Sequence, residues 1–109
     1  MSKYDFLKPF TFKNKPITLK NRVVIPPMTE RMAFEDGTVT NDEIAYYAQR
    51  AGGAGMFITG TANVNALGKG FEGELSIADD KFIPQLSKLA AAMKNNHTKA
   101  ILQIFSAGR

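Results

Sequence analysis

A single amide interrupts an aliphatic and aromatic run, Gln103 in Ala100-Ile101-Leu102-Gln103-Ile104-Phe105. Buried in such a strand, a glutamine is costly unless its donors and acceptors are used, by a ligand or by an internal hydrogen bond. A second candidate follows the β-branched run Val23-Val24-Ile25, where Pro26 and Pro27 stop a strand because neither can donate to a ladder. Met28 and Thr29 then fall just past that strand's carboxyl end, the rim where parallel α/β folds hold ligands. The simpler reading of this stretch is a core strand, buried on both faces, closed by a Pro-Pro turn. Gly60-Thr61, after the run Met56-Phe57-Ile58-Thr59, occupies the corresponding place on a further strand. Other reactive types read as structural. His97 sits in a loop at a helix end, and Glu72, Glu74, Asp79 and Asp80 lack metal-ligand spacing and suit loop solvation and capping.

The elements that must carry these residues are legible in the pattern. Phe10-Thr11-Phe12-Lys13 and Ile17-Thr18-Leu19-Lys20 alternate around Asn14-Lys15-Pro16, which predicts a hairpin. A first strand follows over 22–25, then a long loop over 26–39 with the turn signal Asp36-Gly37. Thr40 and Glu43 form a capping-box pattern in which hydroxyl and carboxylate satisfy amides at a helix start. Ile44, Tyr47, Ala48 and Ala51 recur at helical spacing, and Gly52-Gly53-Ala54-Gly55 ends that helix. Met56–Thr59 is the second strand, and 60–78 a glycine-rich loop. Asp79-Asp80 cap a second helix that tolerates Pro84 in its first turn, buries Leu86, Leu89, Ala90 and Met93, and stops near Asn95-Asn96. Residues 100–105 form the third strand. The order is a hairpin followed by β-α-β-α-β, the arrangement of a parallel sheet.

Composition bounds the remaining choices. Hydrophobic residues make up 44% and charged residues 22%, ordinary for a globular chain. Without cysteine there is no disulfide framework and no thiolate metal site. No stretch reads as a signal peptide or a membrane span, so a cytoplasmic location is expected. The formal charge of +4 is uneven: residues 1–22 hold six basic residues against Asp5 alone, +5, and the rest balances to −1. A basic leader invites a nucleic-acid reading, but charges alternating with apolar residues fit the solvated face of a hairpin.

Taken together, LKNRVVIPPMT (19–29), Tyr46-Tyr47-Ala48-Gln49-Arg50-Ala51 with its following glycines, Thr59-Gly60-Thr61 ahead of Gly68, and Gln103-Ile104-Phe105-Ser106-Ala107-Gly108-Arg109 resemble the old yellow enzyme family. These are the flavin-dependent NAD(P)H:flavin oxidoreductases and ene-reductases. The resemblance implies an α/β fold, in which an N-terminal hairpin (1–20) and the first β-α-β-α-β part (21–109) begin a single FMN-binding (β/α)₈ TIM barrel. Such a barrel takes roughly 250 residues, so residues 1–109 would be its N-terminal portion only. It implies FMN as cofactor and NAD(P)H as reductant. Pro26, Pro27 and Met28 would line the dimethylbenzene side of the ring, and Thr29 would lie near flavin O4 and N5. Gly60 would let the backbone approach the pyrimidine edge, and Gln103 would bind its carbonyl and ring nitrogens. Arg31 falls near the substrate side. The family's substrate-holding pair, tyrosine donor and phosphate site lie later, so residues 1–109 alone are expected to be inactive. One departure is Ser106, where the family often has histidine.

The expected partners are a small-molecule substrate, with no nucleic acid and no membrane. Three strands of eight leave open edges, which predicts docking to the rest of the chain or self-association. Two alternatives remain: an FMN barrel acting on RNA, resembling the dihydrouridine synthases, and a non-enzymatic interaction fragment.

Overall fold

In a computed structural model, residues 3–108 are described; Met1, Ser2 and Arg109, the last residue of the QIFSAGR motif, lie outside the described residues. The leader forms the expected hairpin, shorter than the alternation suggested. Strand β1 (Phe10–Thr11) pairs antiparallel with β2 (Thr18–Leu19), with Thr11 opposite Thr18 and their hydroxyls 2.8 Å apart. Phe10, Phe12 and Leu19 line one cleft with Val24 and Met56, so the hairpin lies beside the start of the main sheet.

The main sheet is parallel. Strand β3 (Val24–Ile25) pairs with the start of β4 (Met56–Asn63), and β6 (Lys99–Phe105) follows β4 along its other edge. Helices α1 (Asn41–Arg50) and α2 (Ile83–Met93) make the crossovers and pack together on one face. Tyr47, Leu89 and Met93 meet Phe57 and Ala62 there in the buried core. The predicted helical stripes are the buried ones, Pro84 sits in the first turn of α2, and Gly52 leaves α1 with φ +99°.

Three expectations change. The second strand does not stop at Thr59 but runs to Asn63, crossing an irregularity at Thr59-Gly60 opposite Leu102, where two residues of β4 face one of β6. This is a β-bulge, and it hides a continuing strand behind a glycine that reads as a loop signal. The following loop is shortened by a strand of its own, β5 (Leu75–Ser76), paired parallel to Ala62-Asn63. The run Val23-Val24-Ile25 is not buried on both faces: Val23 and Val24 are exposed because β3 is an edge strand whose far side is unpaired. The same exposure affects β6, where Ile104 is 68% accessible and Ile101 and Leu102 are also exposed.

At the bottom, Lys20 ties both helix ends together. Its ammonium donates to Gly52 O after α1 and, at 2.6 Å, to Asn96 O after α2. A cation at two carboxyl-terminal ends also complements both helix dipoles. Lys20→Met, made in a chain carrying the rest of the barrel, is expected to cost about 1–2 kcal/mol in a denaturant titration. No loss would show these contacts to be balanced by solvation.

Candidate functional site

Residues paired across a parallel ladder point to the same face. Thr61 pairs with Gln103 and Ile58 with Ile101, on the face opposite the helices. Thr29 reaches that row from the loop after β3: its Oγ1 lies 3.0 Å from Thr61 Oγ1 and accepts the Thr61 N–H at 3.3 Å. Thr29 and Gln103 thus flank Thr61 rather than facing opposite surfaces. Pro26, Pro27 and Met28 are exposed beside them.

Gln103 is half-buried, so its cost is smaller than full burial would impose. Its backbone N–H is taken by Thr59 Oγ1 at 3.1 Å. Its side-chain amide hydrogen-bonds to nothing among the described residues and is left available on the open face. The donor set is neutral: two hydroxyls and an amide beside an apolar strip. It suits a flat, polar-edged ring, and no group of acidic or histidine side chains that could hold a metal occurs among the described residues.

Gly60 has an internal steric reason to be glycine. A Cβ on it would stand 2.6 Å from Met28 O and 2.8 Å from Thr29 Cα, so its missing side chain admits the chain's own loop. Its N–H donates to the Tyr47 hydroxyl at 2.9 Å, and its carbonyl accepts from Thr59 Oγ1 at 2.8 Å. Both polar groups being used internally, Gly60 shapes the site, and Thr61 lies buried behind Thr29. Arg31 also has an internal partner. With φ +58° it donates through Nε to Glu72 O at 3.1 Å, and Gly73 is required because a Cβ there would meet the Arg31 backbone. Arg31 therefore clasps the β3–α1 loop to the β4–β5 loop.

Helix α1 supports the same loop. Thr40 Oγ1 accepts the Glu43 N–H at 3.1 Å and donates to Met32 O at 2.7 Å. The capping box is only half made: the Glu43 carboxylate does not return to Thr40 but lies buried, 2% exposed, with Oε1 unpartnered. Burial, reinforced by the charge of Glu30, pushes its pKa up to about 7. Tyr47, one turn later, is pushed up to about 12, chiefly by burial. Sequence reasoning missed the parts played by Thr59, Thr61, Glu43 and Tyr47. A strand continued through Gly60 would have put Thr61 in register with Gln103.

Residues 5–109 match the sequence pattern of the NADH:flavin oxidoreductase / NADH oxidase family. The chain is 50% identical over 93 residues to an NADH:acrylate oxidoreductase of Vibrio harveyi, covering 85% of this chain and 9% of that protein. It is 44% identical over 101 residues to a probable NADH-dependent flavin oxidoreductase of Bacillus subtilis, covering 93% of this chain and 27% of that one. The fold is similar to that of the old yellow enzyme from Trypanosoma cruzi, with a TM-score of 0.82 and 32% identity over 96% of this chain and 28% of the other. The chain thus spans about a tenth to a quarter of the length of these relatives.

Proposed function

The chain belongs to the NADH:flavin oxidoreductase / NADH oxidase family, and from that premise we propose that it forms the first part of an FMN-binding barrel that takes hydride from NAD(P)H and reduces an activated alkene. The observation that carries this reading is the row Thr29, Thr61 and Gln103 on the open face, with an unengaged amide at one end and the exposed Pro26-Pro27-Met28 strip beside it. Bound there, FMN would supply the hydride relay between nicotinamide and alkene. The chain's own share is positional: Gln103 would hold the pyrimidine edge, Thr29 would donate toward O4 and N5, and the proline strip would pack on the apolar side. An alkene conjugated to a carbonyl is supported by the acrylate that the Vibrio relative is named for. Gly60 stays in this proposal as a backbone that shapes the pyrimidine side, and Arg31 as a residue near the substrate mouth.

Residues 1–109 alone are proposed to be inactive, because β3 and β6 have free edges and Ile101, Leu102 and Ile104 are exposed, so that they either dock to later barrel elements or self-associate. The test is an FMN titration, followed by anaerobic NADH bleaching and reoxidation by acrylate, on the chain with the rest of its barrel and on residues 1–109. The longer chain is expected to bleach and recover, and the shorter to show no turnover and to elute as an oligomer. FMN binding and NADH bleaching by the longer chain without reoxidation by acrylate, together with tRNA binding that weakens steeply with salt, would favour the RNA-directed alternative.

A further inference from the structure

The two threonine hydroxyls have two protons to place. Each hydroxyl offers one proton and two lone pairs. Thr29 Oγ1 already accepts the Thr61 N–H, and the hydroxyls lie 3.0 Å apart, so one donates to the other. If Thr29 were the donor, the Thr61 proton would need its own acceptor. Thr61 is 7% exposed and its hydroxyl makes no other hydrogen bond among the described residues, so that arrangement strands a buried donor. If Thr61 donates, both lone pairs of Thr29 are engaged and the proton of the half-buried Thr29 is left to face the open side. The second arrangement leaves no buried donor unmatched.

We infer that Thr61 is a positioning residue: its hydroxyl donates to Thr29 Oγ1 and thereby fixes Thr29 as an outward-facing hydrogen-bond donor on the rim. The inference deepens the flavin reading and rests on it for its functional readout. A donor held toward O4 and N5 favours the reduced, more negative ring over the oxidised one. Thr61→Val keeps the shape and the backbone N–H but removes the donated proton, freeing the Thr29 hydroxyl to rotate.

The experiment compares the affinities for reduced and oxidised FMN in the full-length protein. Thr61→Val is expected to lower the preference for reduced FMN threefold to tenfold, about 15–30 mV in a two-electron potential. Thr61→Ser should restore the wild-type value, and Thr61→Val should add nothing in a Thr29→Val background. An unchanged potential in Thr61→Val, or an equal shift in the Thr29→Val background, overturns the inference. A flavin-independent arm measures exchange of the Thr61 hydroxyl proton by NMR. Protection in the wild type and its loss in Thr29→Val supports the assignment, and an unprotected proton overturns it. Failure to bind FMN would sink the functional reading, while the exchange measurement would still decide the hydroxyl orientation.

Discussion

Gly60→Ala is expected to abolish high-affinity flavin binding and to destabilise the complete barrel by about 1–3 kcal/mol, at the upper end of that range. The new methyl would meet Met28 O at 2.6 Å and Thr29 Cα at 2.8 Å, both backbone atoms that cannot rotate aside. Either the β3–α1 loop lifts or the bulge in β4 opens. The first displaces Thr29 from Thr61. The second breaks the Gly60 N–H to Tyr47 hydroxyl bond and the register that aligns Thr61 with Gln103. Both routes scatter the same row. Gly53→Ala supplies the control, because no atom lies within 4 Å of its added methyl, and restricting the unfolded chain should leave stability unchanged or raised by up to about 1 kcal/mol. Thermal unfolding and FMN titration of both variants decide the matter. Normal FMN affinity in Gly60→Ala would mean that the loop packs less tightly on β4 than these distances state.

The contrast between Gly60 and Gln103 shows what the sequence exposed and what it hid. Periodicity placed both helices, the hairpin and the third strand, because burial of Leu89 and Met93 or of Tyr47 follows directly from spacing along an amphipathic helix. Gln103 stood out because an amide among aliphatics violates the local pattern. The bulge carries no such mark. A glycine after Thr59 reads as a strand end, and only pairing with a strand forty residues later shows that β4 continues through it. Long-range register is not encoded in local hydrophobicity, which is why Thr61 was legible as a strand-end residue but not as the ladder partner of Gln103. The internal partners of Arg31 and Glu43 were hidden for a related reason. Each is a polar residue whose partner is set by tertiary packing, the Glu72 carbonyl in one case and the α1–loop junction in the other.

Glu43 should impose a pH dependence on stability that its glutamine variant lacks. In the folded chain its pKa is raised to about 7, by burial first and by the Glu30 charge second, from a value of 4.5 without those influences. Below 4.5 both folded and unfolded states carry the proton and the residue contributes no pH dependence. As pH rises from there toward 7 the unfolded state releases the proton while the folded state retains it, so stability falls across this window and then levels. With allowance for solvent screening the full loss is on the order of 2 kcal/mol. Glu43→Gln keeps the shape and the Thr40 cap on the residue 43 N–H, and it stays neutral throughout. Its unfolding midpoint should match the wild type near pH 4 and exceed it progressively from about pH 5, with the gap constant beyond about pH 8. A gap of the same size at every pH would assign the effect to packing rather than to the proton. Because Glu30 follows Thr29 directly and its charge reaches Glu43 across the loop–helix junction, ionisation of Glu43 puts two carboxylates against each other next to Thr29, the residue proposed to donate toward the flavin. FMN affinity should therefore weaken in the wild type as pH rises through about 7, where the folded chain itself loses the proton and the stability curve levels, and Glu43→Gln should flatten both curves.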